Sequence, residues 1–275
     1  MTDPEYLLSF IREDAPFGDI TSDAVIGDTR CRARIVTREE GVIAGLEEAA
    51  FLFRHFGVTV NQGADDGDSV QAGTVVLDLE GPARSILLVE RTALNIIGRM
   101  SGIATRTRRC VLLLRQAESG CRIAATRKTA PGLRTLDKKA VALGGGDPHR
   151  ISLSDGILIK DNHLALVPLR EAVHRAKQAS LYRKIEVEVT TPEDAVAAAD
   201  AGADILLLDN MTPGQVTATL SLLEDRGVRG RVLIEVSGGI GEENLSSYAL
   251  PGVDFISAGI LTHSVKNFDV SLDIM

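Results

Sequence analysis

The segment from Arg127 to Lys160 carries the strongest chemical signal in this 275-residue chain. Seven of its residues are basic (Arg127, Lys128, Arg134, Lys138, Lys139, Arg150 and Lys160) and three are acidic (Asp137, Asp147 and Asp155), although the whole chain has a net charge of −8. A local cationic pocket in an acidic protein suits a small polyanion bearing carboxylates, phosphates or both. Arg meets such groups with paired donors, and Lys acts as a compact point charge. Lys138 and Lys139 read as solvated surface charges, because adjacent residues point in different directions. Arg127, Lys128, Arg150 and Lys160 read as pocket residues. His149 joins them, since it stands beside Arg150 in the polar loop after Gly144-Gly145-Gly146.

Glu188 and Asp209 make a second constellation. Both lie on apolar stretches that read as strands buried on both faces, where an unpaired carboxylate is costly and needs a partner or a metal. Two carboxylates at neighbouring strand ends can accept hydrogen bonds from ribose hydroxyls or hold Mg²⁺ through water. An ion pair with Lys128 or Lys160 is the plainer alternative. Ser237-Gly238-Gly239 and Ser257-Ala258-Gly259 are turns whose backbone N–H groups could face a phosphate, with the dipole of a following helix in support. Thr262, His263 and Ser264 follow and read as closing residues.

The apolar pattern supplies the scaffold for these side chains. Strand candidates fall at 122–125, 156–160, 184–189, 204–208, 231–236 and 253–257. Helices at 168–179, 192–201 and 213–224 alternate with the later strands, each opened by Pro at or near its first turn. Such alternation indicates a parallel sheet covered by helices. In α/β barrels the active site lies at the C-terminal strand ends, and every strand exit here bears a charged residue or a small Ser/Gly loop. The roughly 140 residues available fall short of the ~250 of a complete eight-fold barrel, so the barrel is predicted to be incomplete and open. Upstream, the pattern predicts a polar turn-rich opening at 14–25, antiparallel strands between 32 and 79, and a helix over 46–56. A long helical stretch over 84–116 is expected to break near Ser101-Gly102.

Composition narrows the function classes. An apolar share of 44% is ordinary for a globular chain and excludes disorder. The acidic balance disfavours a general nucleic-acid surface, and no apolar run approaches the ~20 residues that span a bilayer. The acidic start lacks the basic opening of a signal peptide, and the three scattered cysteines, Cys31, Cys110 and Cys121, read as reduced thiols of a cytoplasmic protein. The stretch 65–79 looks like a biotinyl or lipoyl hammerhead, but it has no Lys for attachment and reads as structural.

Three motifs together carry a family resemblance: Thr126-Arg127-Lys128-Thr129-Ala130-Pro131-Gly132-Leu133-Arg134, Gly144-Gly145-Gly146-Asp147-Pro148-His149-Arg150, and Leu158-Ile159-Lys160-Asp161-Asn162-His163. They closely resemble the quinolinate phosphoribosyltransferases, the decarboxylating type II phosphoribosyltransferases of NAD biosynthesis. Gly18-Asp19-Ile20-Thr21, Glu90-Arg91-Thr92-Ala93-Leu94-Asn95 and Ser101-Gly102-Ile103-Ala104-Thr105 resemble the family's N-terminal half. Glu186-Val187-Glu188-Val189, Leu208-Asp209-Asn210, Ser237-Gly238-Gly239-Ile240 and Leu261-Thr262-His263-Ser264 resemble its barrel. Lys139 departs from the pattern, standing where relatives carry an aromatic.

The resemblance implies an α/β fold with an N-terminal α/β sandwich domain over 1–108, joined by 265–275, and a catalytic incomplete (open) α/β barrel over 109–264. It implies transfer of phosphoribosyl from phosphoribosyl pyrophosphate (PRPP), with Mg²⁺, to quinolinate, giving nicotinate mononucleotide, pyrophosphate and CO₂. It implies a homo-oligomer, at least a dimer, whose partner completes the site. Arg127, His149 and Arg150 would bind the quinolinate carboxylates, with Lys128 and Lys160 close to both substrates, and Arg91 would reach the partner's site. Glu188 and Asp209 would hold the ribose and the metal environment, and Ser237, Gly238 and Gly259 the phosphate. Lys128, Lys160, Glu188 and Asp209 are thus the expected catalytic set, and Cys110 and Cys121 are expected to be spectators. The alternatives are a molybdate-uptake-associated paralogue of the same fold, a nicotinate-using transferase and a non-catalytic anion-binding barrel.

Overall fold

The structure is a computed structural model that describes residues 3–275; Met1 and Thr2 lie outside the described residues. The chain begins with α1 (Pro4–Asp14), α2 (Ile20–Val25), β1 (Arg30–Thr37), β2 (Gly41–Val42), α3 (Leu46–His55), β3 (Thr59–Gln62), β4 (Ser69–Val70) and β5 (Val75–Pro82). It continues through α4 (Ala83–Gln116), β6 (Arg122–Ala124), α5 (Arg134–Leu143), β7 (Ile157–Ile159), α6 (Asp161–Leu164), α7 (Leu169–Ala179), β8 (Ile185–Val189), α8 (Pro192–Ala201) and β9 (Ile205–Asp209). It closes with α9 (Pro213–Asp225), β10 (Leu233–Ser237), α10 (Leu245–Tyr248), β11 (Phe255–Ser257), α11 (Ile260–His263) and β12 (Val270–Ile274). Two compact units result. The first holds Met1–Arg108, Pro131–Gly145 and Val265–Met275, and the second holds Arg109–Ala130 and Gly146–Ser264. Residues 131–145, which the sequence reading placed with the barrel, group with the first unit.

In the first unit an antiparallel sheet runs β12-β1-β5-β3, with the C-terminal strand pairing β1 from Ala33↔Ile274 to Thr37↔Val270. β2 and β4 form a separate two-stranded ladder. Phe53, Leu46, Leu52, Leu77, Ile86 and Ile97 are among the largest fully buried side chains of the core. The opening read as turn-rich also contains α2, because the Asp19 side chain caps it by accepting from the Thr21 and Ser22 N–H groups.

The long helix α4 is continuous, against the expected break near Ser101-Gly102. Its small residues serve close packing instead. Ser101 Oγ accepts from Ala44 N at 2.9 Å, and Gly102 faces the Lys266 carbonyl oxygen, which would lie 2.1 Å from any Cβ there.

The reading of Lys138 and Lys139 as solvated surface charges is also corrected. Lys138 is buried, and Lys139 Nζ reaches Glu47 Oε2 at 2.7 Å, Glu48 Oε1 at 2.9 Å and Asp66 Oδ2 at 3.4 Å. Burial works against the Lys139 charge, but the hydrogen bonds it donates to Glu47 and Glu48 outweigh it and raise its pKa. Nearby, Arg99 donates to both oxygens of the fully buried Asp137 at 2.7 and 2.9 Å. Removing one partner of such a pair strands a charge in the interior. Arg99→Leu is therefore expected to cost about 3–5 kcal/mol in urea unfolding; a loss under ~1 kcal/mol would contradict this account of the pair.

In the second unit six parallel strands run β6-β11-β10-β9-β8-β7. β6 and β7 are the two edges of this order, so the barrel is open. The helices start as their sequence predicts. Thr191 caps α8 ahead of Pro192, and Thr212 and Gln215 form a capping box around Pro213 at the start of α9. Gly202, at φ 94°, ends α8. Among the described residues no helix is long and apolar enough to cross a membrane.

Candidate active site

The parallel register sorts the strand residues onto two faces. Glu188 lies level with Leu207, Glu235 with Leu207 and Phe255, and Ser237 with Asp209 and Ser257. With two-residue alternation, Leu158, Glu186, Glu188, Leu207, Asp209, Glu235, Ser237 and Ser257 therefore share one face. The other face carries the buried Ile159, Val187, Leu206, Leu208, Ile234, Val236 and Ile256. The reading of the strands as buried on both faces holds only in part: one face is apolar and packed, and the other, on which Glu186, Leu207, Glu235 and Ser257 are also buried, lines a cavity.

That cavity has a volume of about 290 Å³. Arg127, Lys128, His149, Arg150 and Lys160 all line it, as do Glu188, Asp209, Ser237 and Glu235. A larger cavity of about 500 Å³ lies in the first unit, where its charged residues are Glu13, Asp14 and an Arg99 already paired with Asp137. Only the smaller one gathers several cations suited to a polyanion, and we take it as the candidate active site.

Local structure explains the convergence. Arg127 and Lys128 leave β6 in a loop pinned twice: the Lys128 N–H donates to Thr126 Oγ1 at 3.1 Å, and the Thr262 hydroxyl donates to the Lys128 carbonyl at 2.9 Å. Thr262 thus holds the cationic loop. Asp147 bridges alongside Ala124, accepting from Ala125 N at 2.9 Å and donating to Ile123 O at 2.8 Å, which carries His149 and Arg150 in beside β6. Burial and the neighbouring Arg127 guanidinium lower the pKa of Arg150. Arg127 Nε is buried with no hydrogen-bond partner. Lys160 Nζ lies 3.3 Å from Glu188 Oε2, the ion pair raised as the plainer alternative for that acid.

Glu188 and Asp209 are half-buried at the cavity wall, so the expectation that they are the deeply buried acids is corrected. Those acids are Glu186 and Glu235, 5% and 1% exposed, which sit deeper on the same face. The sequence reading did not select them as site residues; the alternation Glu186-Val187-Glu188-Val189 and the Glu two residues before Ser237 were the available signal. Burial first, and then the adjacent Glu235, raise the Glu186 carboxyl above the usual range. Together with His149 they place three potential metal-ligand atoms within 4.8 Å of one another. Arg150 already supplies positive charge beside them, so we read the cluster as a histidine–carboxylate network. Glu188 and Asp209, which open on the cavity, offer hard oxygens of the kind that hold Mg²⁺ while it keeps waters and substrate phosphates.

The two glycine turns lie at the ends of β10 and β11. Gly238 has φ 101°, and a Cβ there would lie 2.7 Å from the Asn210 backbone nitrogen and 2.3 Å from its side-chain oxygen. Asn210 is itself held by its N–H to the Ser237 carbonyl at 2.9 Å and by Nδ2 to Asp209 Oδ2 at 2.6 Å. Gly238→Ala is therefore expected to displace Asn210 and Asp209 and to weaken binding of phosphate-bearing ligands at this cavity at least ~10-fold, because backbone strain and a clash coincide. Titration with inorganic pyrophosphate tests this, and an unchanged affinity would contradict it. A Cβ at Gly259 would meet Lys128 Cδ at 3.0 Å. The helices after these turns, α10 and α11, have four residues each, so the expected support from a helix dipole is small and the backbone N–H groups remain the usable donors. Arg91 lies on α4 in the first unit, exposed, and is not among the residues lining the cavity.

Comparison with known proteins bears on this geometry. The family model described as quinolinate phosphoribosyl transferase, N-terminal domain, matches residues 19–101, and its C-terminal counterpart matches residues 103–273. The chain is 50% identical over 273 residues to the probable nicotinate-nucleotide pyrophosphorylase (carboxylating) of Methanothermobacter thermautotrophicus, covering 98% of each. It is 36% identical over 268 residues to the human nicotinate-nucleotide pyrophosphorylase (carboxylating), covering 97% of this chain and 89% of that one. The structure of the nicotinate-nucleotide pyrophosphorylase from Francisella tularensis superposes with a TM-score of 0.91 at 36% identity, covering 100% of this chain and 98% of that one.

Proposed function

The chain belongs to the quinolinate phosphoribosyltransferase family, and from that premise we propose that the cavity of its second unit is where the reaction takes place. The activity is transfer of phosphoribosyl from PRPP to quinolinate with decarboxylation, yielding nicotinate mononucleotide, pyrophosphate and CO₂ for NAD biosynthesis. The observation that carries the placement is the convergence of Arg127, Lys128, His149, Arg150 and Lys160 on one cavity with Glu188 and Asp209.

Two carboxylates and several phosphate charges must be brought together, which is strongly repulsive without a dense set of cations. Arg127, Arg150 and His149 bind the quinolinate carboxylates and orient the ring nitrogen. Lys128 and Lys160 stand between the two substrates and favour departure of pyrophosphate. Glu188 and Asp209 accept from the ribose hydroxyls and favour the positive charge that develops on the sugar as pyrophosphate leaves. Ser237, Gly238 and Gly259 offer hydroxyl and backbone donors to phosphate. Glu188 and Asp209 would also hold Mg²⁺, and the chemistry the ion would supply when bound with PRPP is neutralisation of the leaving group. Loss of CO₂ leaves an electron pair on the ring carbon next to the new pyridinium nitrogen; the positive ring itself stabilises it until that carbon takes up a proton from solvent, which completes nicotinate mononucleotide. Arg91 of one subunit completes the site of another in a homo-oligomer of at least two chains, working in the cytoplasm. Neither nucleic acid nor membrane takes part. No finding favours the molybdate-associated or the non-catalytic alternative, and an anion binder gains nothing from two acids in its pocket.

No covalent nucleophile is needed. Burial pushes the Cys121 thiol up to about 12, so it carries no thiolate near neutral pH. Cys110→Ala and Cys121→Ala are expected to keep kcat within ~3-fold of the unmodified chain, and loss of turnover by a folded variant would contradict this.

A bacterial strain without its own quinolinate phosphoribosyltransferase, dependent on added nicotinate, tests the function. The chain is expected to restore growth without nicotinate, and failure at normal expression would count against the reading. For the purified protein, EDTA is expected to abolish turnover and Mg²⁺ to restore it. Mixing inactive Arg91→Ala and Lys128→Ala chains is expected to recover activity through hybrid sites, and additive inactivity would refute a shared site.

A further inference from the structure

Beneath the cations lies an acidic pair that the reaction as described does not use. Glu186 and Glu235 project from β8 and β10 on the cavity face, and both are nearly fully buried. Two buried acids are costly to keep unless their neighbours compensate. The compensation comes from His149, whose Nε2 lies 3.2 Å from Glu235 Oε2 and 4.0 Å from Glu186 Oε2, and from the charge of Arg150.

The histidine is placed with unusual care. Its φ of 54° is a conformation that non-glycine residues adopt rarely, and it is secured by the His149 N–H donating to Asp147 Oδ1 at 2.7 Å. The ring lies against Phe255, with centroids 6.0 Å apart and planes tilted by 45°. The contact with Glu235 holds the ring by Nε2 and directs the remaining ring nitrogen away from the acids. Glu186 Oε1 has no hydrogen-bond partner and is buried beside this contact.

We propose that Glu235, backed by Glu186, is a positioning residue of the quinolinate subsite: its carboxylate fixes the tautomer and rotation of the His149 ring and so sets affinity for the pyridine dicarboxylate without touching it. The inference rests on the proposed role of His149 in binding quinolinate.

Steady-state kinetics of Glu235→Ala, Glu235→Gln, His149→Ala and the Glu235→Ala/His149→Ala double variant test it. Glu235→Ala is expected to raise the KM for quinolinate about 10- to 30-fold, the worth of one charge-assisted hydrogen bond. The KM for PRPP is expected to stay within ~2-fold and kcat within ~3-fold. Gln keeps an oxygen for the ring N–H and can turn its NH₂ toward Glu186 Oε1, so Glu235→Gln is expected to recover most of the affinity. In the His149→Ala background Glu235→Ala is expected to add less than ~2-fold, because its effect passes through the ring. Effects that multiply in the double variant, a Gln variant as impaired as Ala, or an equal rise in both KM values would each overturn the proposal. Should Glu235→Ala fail to fold, the Gln variant in the two His149 backgrounds still decides: a loss that persists without His149 overturns it. An unmodified chain that does not turn over quinolinate would instead refute the functional reading, and this inference with it.

Discussion

Arg127→Ala is expected to raise the KM for quinolinate by about 10²- to 10³-fold while leaving the KM for PRPP within a few-fold. The Arg127 Nε is buried and has no hydrogen-bond partner, so the side chain presents a desolvated donor that a substrate carboxylate would satisfy. Its positive charge is also held against repulsion, since Arg127 and Arg150 lie close enough for one to lower the pKa of the other. Two guanidiniums converge stably when an anion joins them. Truncating one partner of a buried, hydrogen-bonded charge pair costs about 2–5 kcal/mol, which sets the size of the effect. Arg127→Lys is expected to recover only a small part, because an ammonium cannot supply paired donors in a plane. Steady-state kinetics with each substrate varied in turn check this. An unchanged quinolinate KM would remove Arg127 from the subsite.

Glu188→Gln is expected to lower kcat by about 10²- to 10³-fold with smaller changes in either KM, the loss typical of one preorganised electrostatic group. The amide keeps the size of the side chain but removes the negative charge that, in the proposed mechanism, would face the developing sugar cation. It also removes the acid 3.3 Å from Lys160 Nζ, so the lysine is left to shift. Single-turnover measurements separate this from product release. A kcat within ~3-fold of the unmodified chain would show that Glu188 is merely the structural partner of Lys160.

The gathering of these side chains at one cavity was legible because they stand at strand exits. Arg127, Lys128, Lys160, Glu188, Asp209 and Ser237 each end an apolar run or directly follow one, and a parallel sheet brings such ends to one rim. His149 and Arg150 were legible only by their neighbours, since their placement depends on a single bridge between Ala124 and Asp147. Depth along a strand was not legible. Glu186 and Glu188 are equivalent in a pattern of two, yet one is 5% exposed and the other opens on the cavity. Nor was the fate of Lys139, whose partners Glu47, Glu48 and Asp66 come from more than 70 residues upstream in the sequence. The continuity of α4 failed as a local inference for the same reason. Ser101-Gly102 looks like a helix break until Ala44 and Lys266 are seen to need the space.

The central claim is that this cavity transfers phosphoribosyl to a pyridine carrying two carboxylates and releases one of them. The most direct measurement follows nicotinate mononucleotide and CO₂ from purified protein with PRPP and Mg²⁺, using quinolinate in one reaction and nicotinate in the other. Equimolar nicotinate mononucleotide and CO₂ from quinolinate, with no product from nicotinate, is the predicted result. Folded protein that binds PRPP yet forms no product from quinolinate, or that uses nicotinate equally well, would contradict it.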